Sequence, residues 1–207
     1  MFTPLDRVAV GFVAARMRDP DRDEIFATRW DDDPEKIADE TIACARFGCV
    51  AWHGGEPAAV VCAMPLWPGV WTVAMYATTS WPAVAPAVTR WIRRQLMPDI
   101  VATGAHRAEC RSLATHVMAH RWLERLGARR EALLTDYGRN REAYYVYAWT
   151  LTDLTLADLP GDLRCASTVP HRRLHPRRRA PTARRSRRRP PPSASGCAAP
   201  AAAPPPS

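Results

Sequence analysis

Leu5, Val8, Ala9 and Phe12 recur at i, i+3, i+4 and i+7, the spacing of one helical face. Thr3-Pro4-Leu5-Asp6 precedes them with a hydroxyl N-cap, a proline at the first helical position and an acid three residues past the cap. The pattern predicts a first helix that Asp19-Pro20 stops, and a short second helix through Ile25 and Phe26. Asp33-Pro34 caps a third, with Ala38, Thr41, Ile42 and Ala45 on one face and Gly48 as its terminator. From Cys49 the period changes to two. Cys49–Trp52 and Ala58–Met64 flank His53-Gly54-Gly55-Glu56, a glycine turn suited to a hairpin. Pro68-Gly69 then forms the centre of a type II turn. Trp71–Tyr76 follows, with Trp71, Val73 and Met75 on one face and Thr72, Ala74 and Tyr76 on the other. Three strands with tight turns make an antiparallel meander covered on both faces. Pro86–Leu96 reads as a helix, His106–Cys110 as a short strand, and Leu113–Leu126 as the clearest helix, closed by Gly127. Glu131–Tyr137 and Ala143–Trp149 make a last hairpin around Gly138-Arg-Asn-Arg. The order α-α-α-β-β-β-α-β-α-β-β is mixed α/β with α+β character.

Charge divides the chain. The net charge is +8, yet residues 1–160 carry 18 Lys plus Arg against 20 Asp plus Glu, while residues 161–207 carry 11 arginines and one acid. All 17 aromatic residues precede residue 150, so a near-neutral body is followed by a basic tail with no aromatic residue. The expected division is a domain over 1–155 and a disordered Arg/Pro/Ala-rich tail over 156–207. Three readings stay open for the tail: an electrostatic tether for nucleic acid without sequence specificity, a neutral solvated segment, and an out-of-frame read of a GC-rich gene, which the ratio of 28 Arg to one Lys suggests. The six scattered cysteines form no CxxC pair and read as reduced thiols of a cytoplasmic protein. Pro57–Thr89 carries no charge, but its prolines and its Thr78-Thr79-Ser80 run mark it as a buried sheet and exclude a membrane span.

The helix ending Ala119-His-Arg-Trp-Leu-Glu-Arg-Leu-Gly127, followed by a hairpin, resembles the C-terminal half of the GNAT N-acetyltransferase fold. The family's helix reads Asn-x-x-Ala-x-x-Leu-Tyr-x-x-x-Gly-Phe; here His116 stands at the asparagine, Ala119 at the alanine, Trp122 at the leucine, Leu123 at the tyrosine and Gly127 at the glycine. Arg107–Ser112, Trp122-Leu123 and Tyr137-Gly138 are similar to the phage and prophage internal core proteins of that superfamily. The resemblance implies a central mixed sheet with helices on both faces over roughly residues 5–150, acetyl-CoA as cofactor, and phage structural or assembly proteins as partners in a bacterial cytoplasm or a virion.

Departures from the family weigh on the chemistry. Its Gln/Arg-x-x-Gly-x-Gly/Ala loop offers backbone N–H groups to a pyrophosphate, and the equivalent Thr78–Pro86 segment has no glycine. The Thr78, Thr79 and Ser80 hydroxyls and Arg90 would partly substitute, with Trp81 narrowing that end. Leu123 replaces a tyrosine that gives a proton to the departing thiolate, and leucine has none. The fold implies a gap between the fourth and fifth strands, lined by Tyr76 and Thr78 on one side and Glu109 and Cys110 on the other, with His116 and Leu123 above. The Tyr76 and Ala77 backbone would stand unpaired there. Glu109 is the candidate general base, with an ion pair to Arg107 or Arg111 as the structural alternative. His116 and His120 share zincin-like i, i+4 spacing, but Val117 replaces the glutamate base, so no metal is assigned. His116 is expected at the edge of the apolar face and His120 in solvent. The aromatic run Tyr144–Trp149 reads as sheet surface and core. The favoured function is a degenerate, non-catalytic GNAT-fold protein of phage or prophage origin; the alternative is an acyl-CoA-dependent N-acyltransferase acting on a small amine or a protein amino group.

Overall fold

The computed structural model describes residues 1–156, so the tail from residue 157 onward, with the three readings its sequence leaves open, lies outside the described residues. Thr3 does not cap a helix. Phe2–Thr3 is a short strand, β1, and the Thr3 hydroxyl accepts the Trp52 indole N–H at 2.8 Å. Asp6 caps instead: its Oδ1 accepts from the Val8 and Ala9 N–H groups at 3.1 and 2.9 Å and opens α1 (Arg7–Ala15). α2 (Asp19–Phe26) carries Pro20 in its first turn, and Asp33 caps α3 (Pro34–Cys44) by accepting the Glu35 N–H at 2.9 Å. The buried face of α3 is Ile37, Ala38 and Thr41; Ile42 turns outward, one step off the predicted stripe.

Gly48 lies inside β2 (Phe47–His53) and does not end α3; a Cβ there would stand 2.6 Å from the Val61 carbonyl oxygen. β2, β3 (Glu56–Trp67) and β4 (Val70–Ala77) form the predicted meander. Gly54 and Gly55 both take positive φ, 58° and 85°, as a two-residue hairpin turn with the strand twist requires.

α4 (Trp81–Trp91) starts five residues earlier than predicted, because Pro82 in the first turn forfeits an N–H that would have no helical partner. A π turn (Ile92–Leu96) and α5 (Met97–Ala102) continue it past Pro98, whose missing N–H the widened turn accommodates. β5 (Arg107–Leu113) runs on to Leu113, which pairs with Tyr144, so α6 (Val117–Arg125) begins four residues later than predicted. Gly127, at φ 93°, closes α6 as expected. β6 (Arg129–Leu134), β7 (Tyr144–Thr150) and α7 (Leu151–Leu156) complete the described chain.

The seven strands lie in the order β1-β2-β3-β4-β5-β7-β6, antiparallel except for β4 against β5. One face packs Val50, Val60 and Tyr76 against Val10 and Val13 of α1, Phe26 of α2 and Ile37 of α3. The other packs Val61, Trp71, Tyr147 and Trp149 against Val88, Leu96, Ile100 and Leu123 of α4 to α6. Tyr144, Tyr147 and Trp149 are buried, in keeping with a core role for that strand. No helix among the described residues is long and apolar enough to cross a membrane. The four cysteines among them, Cys44, Cys49, Cys62 and Cys110, are free thiols.

Candidate functional site at the parting of two strands

β4 and β5 pair only at Val70–Arg107, Trp71–Ala108 and Thr72–Glu109. Beyond Thr72 the two strands part, and a cavity of about 370 Å³ fills the opening. It reaches both faces of the sheet. One end is polar, with Glu24, Arg29, Glu40, Arg111 and Tyr137; the other is apolar, with Ile92, Leu96, Leu123 and Leu126. A gap of this kind suits an extended ligand arm, which takes the place of the missing strand pairing.

The edge of β4 is not open along its whole length. Tyr76 pairs with Val60, the Ala77 N–H donates to Asp21 Oδ2 at 2.9 Å, and the Ala77 carbonyl accepts the Arg18 N–H at 2.9 Å. The expectation that Tyr76 and Ala77 are unpaired is therefore wrong. The start of α2 does for Ala77 what a neighbouring strand would do.

Around Asp21 sits a buried polar cluster. Glu24 Oε2 accepts from the Ser112 hydroxyl at 2.7 Å and the Leu113 N–H at 2.8 Å, and lies 3.0 Å from His116 Nδ1. Because a carboxylate oxygen accepts, Nδ1 is the donor in that contact, and the tautomer that makes it carries its lone pair on Nε2. His116 is 6% exposed, and its Nε2 has no hydrogen-bond partner; Asp21 Oδ1 stands 3.7 Å away. Burial pushes the Asp21 carboxyl up, against the opposing pull of Arg18, which grips it at 2.8 and 2.9 Å. Asp21, Glu24, Ser112, His116 and Cys110 all line the cavity. Burial pushes the Cys110 thiol up, with Glu24 and Glu109 adding to the effect, so it stays protonated.

His120, expected in solvent, is 7% exposed. Its Nε2 donates to the Leu113 carbonyl at 3.0 Å and its ring lies between Tyr145 and Tyr147, where burial lowers its pKa. The other site residues read from the sequence fall apart in space. Tyr76 and His116 line the cavity, whereas Thr78, Thr79, Ser80, Arg90 and Glu109 do not. Tyr76 gives its hydroxyl to a buried 3.0 Å contact with Thr41. Glu109 Oε2 is held by Arg107 Nε at 2.8 Å, with Arg111 at 3.7 Å from its other oxygen, the structural alternative weighed for it.

At the start of α4, the Ser80 N–H donates to Thr78 Oγ1, the Trp81 N–H to the Thr78 carbonyl and the Ala83 N–H to the Ser80 carbonyl. Pro82 has no N–H. Trp81 meets Trp122 of α6 edge-on at 5.2 Å, and the Trp122 indole donates to Thr89 Oγ1 of α4 at 2.9 Å. The residues present therefore fit the thioester arm of an acyl donor in the gap and give a diphosphate no preorganised N–H cradle.

No protein-family model and no curated protein sequence matches the chain. Solved structures do match, at low identity. An aminoglycoside 6'-acetyltransferase type Ii is 16% identical over 73% of this chain and 97% of its own, with a TM-score of 0.56. A GNAT-family acetyltransferase from Bacillus anthracis is 11% identical over 73% and 94%, at 0.57. The ribosomal-protein-S18-alanine N-acetyltransferase from Escherichia coli is 13% identical over 73% and 93%, at 0.55. The chain has the fold of the GNAT acyltransferases.

Proposed function

We propose that the protein is an acyl-CoA-dependent N-acyltransferase of small amines, with His116 as its base. One observation carries the reading: a buried imidazole, oriented by Glu24 at Nδ1, leaves Nε2 without a partner in a cavity that opens where β4 and β5 part. A bound acyl thioester would supply an activated carbonyl carbon, to which the amine nitrogen bonds as the carbon–sulfur bond breaks. His116 Nε2 takes the proton that the amine loses, and Asp21 Oδ1 at 3.7 Å stabilises the imidazolium. Leu123 has no proton to give, so the imidazolium returns the same proton to the thiolate and the ledger closes. The apolar residues at the far end of the cavity exclude water from the reacting carbonyl.

Calorimetric titration with acetyl-CoA tests the first half; saturable binding in the micromolar range is expected, and none up to millimolar would end the proposal. His116→Gln should lower thiol release with an amine by roughly 10²–10⁴-fold. Glu24→Gln should lower it less and displace its pH profile, because the substituted amide no longer stabilises the imidazolium. A non-catalytic GNAT-fold protein is the second reading, and the closed start of α4 favours it. The phage and virion association rests on motif likeness alone.

A further inference from the structure

Most polar groups at the cavity are already committed to neighbours. Arg29 is tied to Glu40 at 2.5 Å, Asp21 to Arg18, and the Thr41 hydroxyl to Tyr76. Among the charged and imidazole groups that line the cavity, His116, Glu24 and Arg111 keep hydrogen-bonding capacity. His116 Nε2 has no partner. Glu24 takes its three contacts on Oε2, which leaves Oε1 without one. The Arg111 guanidinium has a long ion pair with Glu109 at 3.7 Å in place of a hydrogen bond, and it stands 5.8 Å from the centre of the Tyr137 ring, which also lines the cavity. The first two accept hydrogen bonds from an amine or ammonium; the third donates in the planar fork that matches a carboxylate.

Resting on the acyltransferase reading, we infer that the acceptor is a small amino-carboxylate whose amine meets His116 and Glu24 and whose carboxylate meets Arg111. A plain amine or polyamine would bring the guanidinium no anion beyond the long contact with Glu109. Nε2 of His116 and Oε1 of Glu24 accept hydrogen bonds from the amino end of such a molecule; that end reacts as the free base, so the one proton it loses on bonding to the acyl carbon is the proton His116 takes. Arg111 is 43% exposed in its side chain, so it sits at the mouth, where a substrate enters carboxylate outward.

The test compares glycine with glycinamide, β-alanine with β-alaninamide and L-phenylalanine with L-phenylalaninamide, each pair differing at the carboxylate. Thiol release with acetyl-CoA and calorimetric binding are both measured on the full chain. Amidation lowers the amine pKa and so raises the reactive free-base fraction, which biases turnover against the inference. The expected result is a preference of roughly tenfold or more in kcat/KM or affinity for the carboxylate member of at least one pair. Arg111→Gln should bring that ratio close to one, and Arg111→Lys should retain part of it, each with an unchanged unfolding midpoint. No preference in either binding or turnover, or a preference that Arg111→Gln leaves intact, overturns the inference. If acetyl-CoA fails to bind while the carboxylate preference and its loss in Arg111→Gln hold in direct titration, the transferase reading falls and the amino-carboxylate site stands.

Discussion

His116 and His120 lie one helical turn apart and have opposite fates. His116 is held at Nδ1 by an acid and left open at Nε2, whereas His120 gives its Nε2 proton to a backbone carbonyl between two tyrosine rings. Burial depresses the pKa of His120 in the folded chain below its ordinary value of 6.5. Its contribution to stability is therefore complete above that value and is lost as pH falls through the folded pKa, because the unfolded state takes the proton first. Unfolding free energies from urea titrations between pH 7 and 5 should fall by up to about 1.4 kcal/mol per pH unit from this one group. His120→Gln should flatten that part of the slope; an unchanged slope would show that the ring does not titrate there. The sequence marks His116 and Leu123 through the spacing of one helix, but it conceals Asp21 and Glu24. They approach the site from 92 residues away in the case of Glu24 and His116, and no local rule spans that distance. A trace remains in α2, where Asp21, Glu24 and Ile25 share the i, i+3, i+4 stripe, so two acids stand where a buried stripe calls for apolar residues.

α4 and α6 are fastened to each other at the start of α4, the end at which the proposed donor's phosphates would lie. Trp81 and Trp122 make that fastening edge to face, and Thr89 secures it from behind. Trp81→Gly should open this end and raise affinity for coenzyme A several-fold, at a stability cost of about 3–5 kcal/mol for the lost indole. Unchanged or absent binding in a folded Trp81→Gly protein would mark the obstruction as irrelevant. Element types were legible from periodicity, and most boundary errors have physical causes. Thr3 was taken by a strand that begins only because Ala51 and Val50 lie opposite. Leu113 reads as helical in its own spacing, yet Tyr144 holds it extended. Pro86 marks the start of a helix in the sequence, yet α4 begins at Trp81 and carries Pro86 in its interior, because Pro82 sits in a first turn that tolerates a missing N–H. Tertiary pairing and end effects of this kind are not encoded in the residues nearest to them in sequence.

Across the whole molecule, the sheet is continuous in name but joined at its centre by three residue pairs, all at one end. β1 to β4 are linked to one another by antiparallel ladders, and so are β5, β7 and β6. Between these two sets the apolar cluster on the α4–α6 face supplies cohesion, while the main chain supplies little. Such a seam has consequences for how the molecule opens under native conditions. Contiguous blocks that share few backbone bonds tend to lose amide protection as separate cooperative units. Hydrogen–deuterium exchange should then resolve two kinetic classes, with Val50, Val60 and Val61 in one and Tyr145, Val146 and Tyr147 in the other. A donor arm lying in the gap would merge the two classes into one by bridging them, so a single class in the unliganded protein would contradict the seam. With two classes, the site and the weak point of the protein are the same place: the opening that admits a ligand is also the line along which the native state comes apart first.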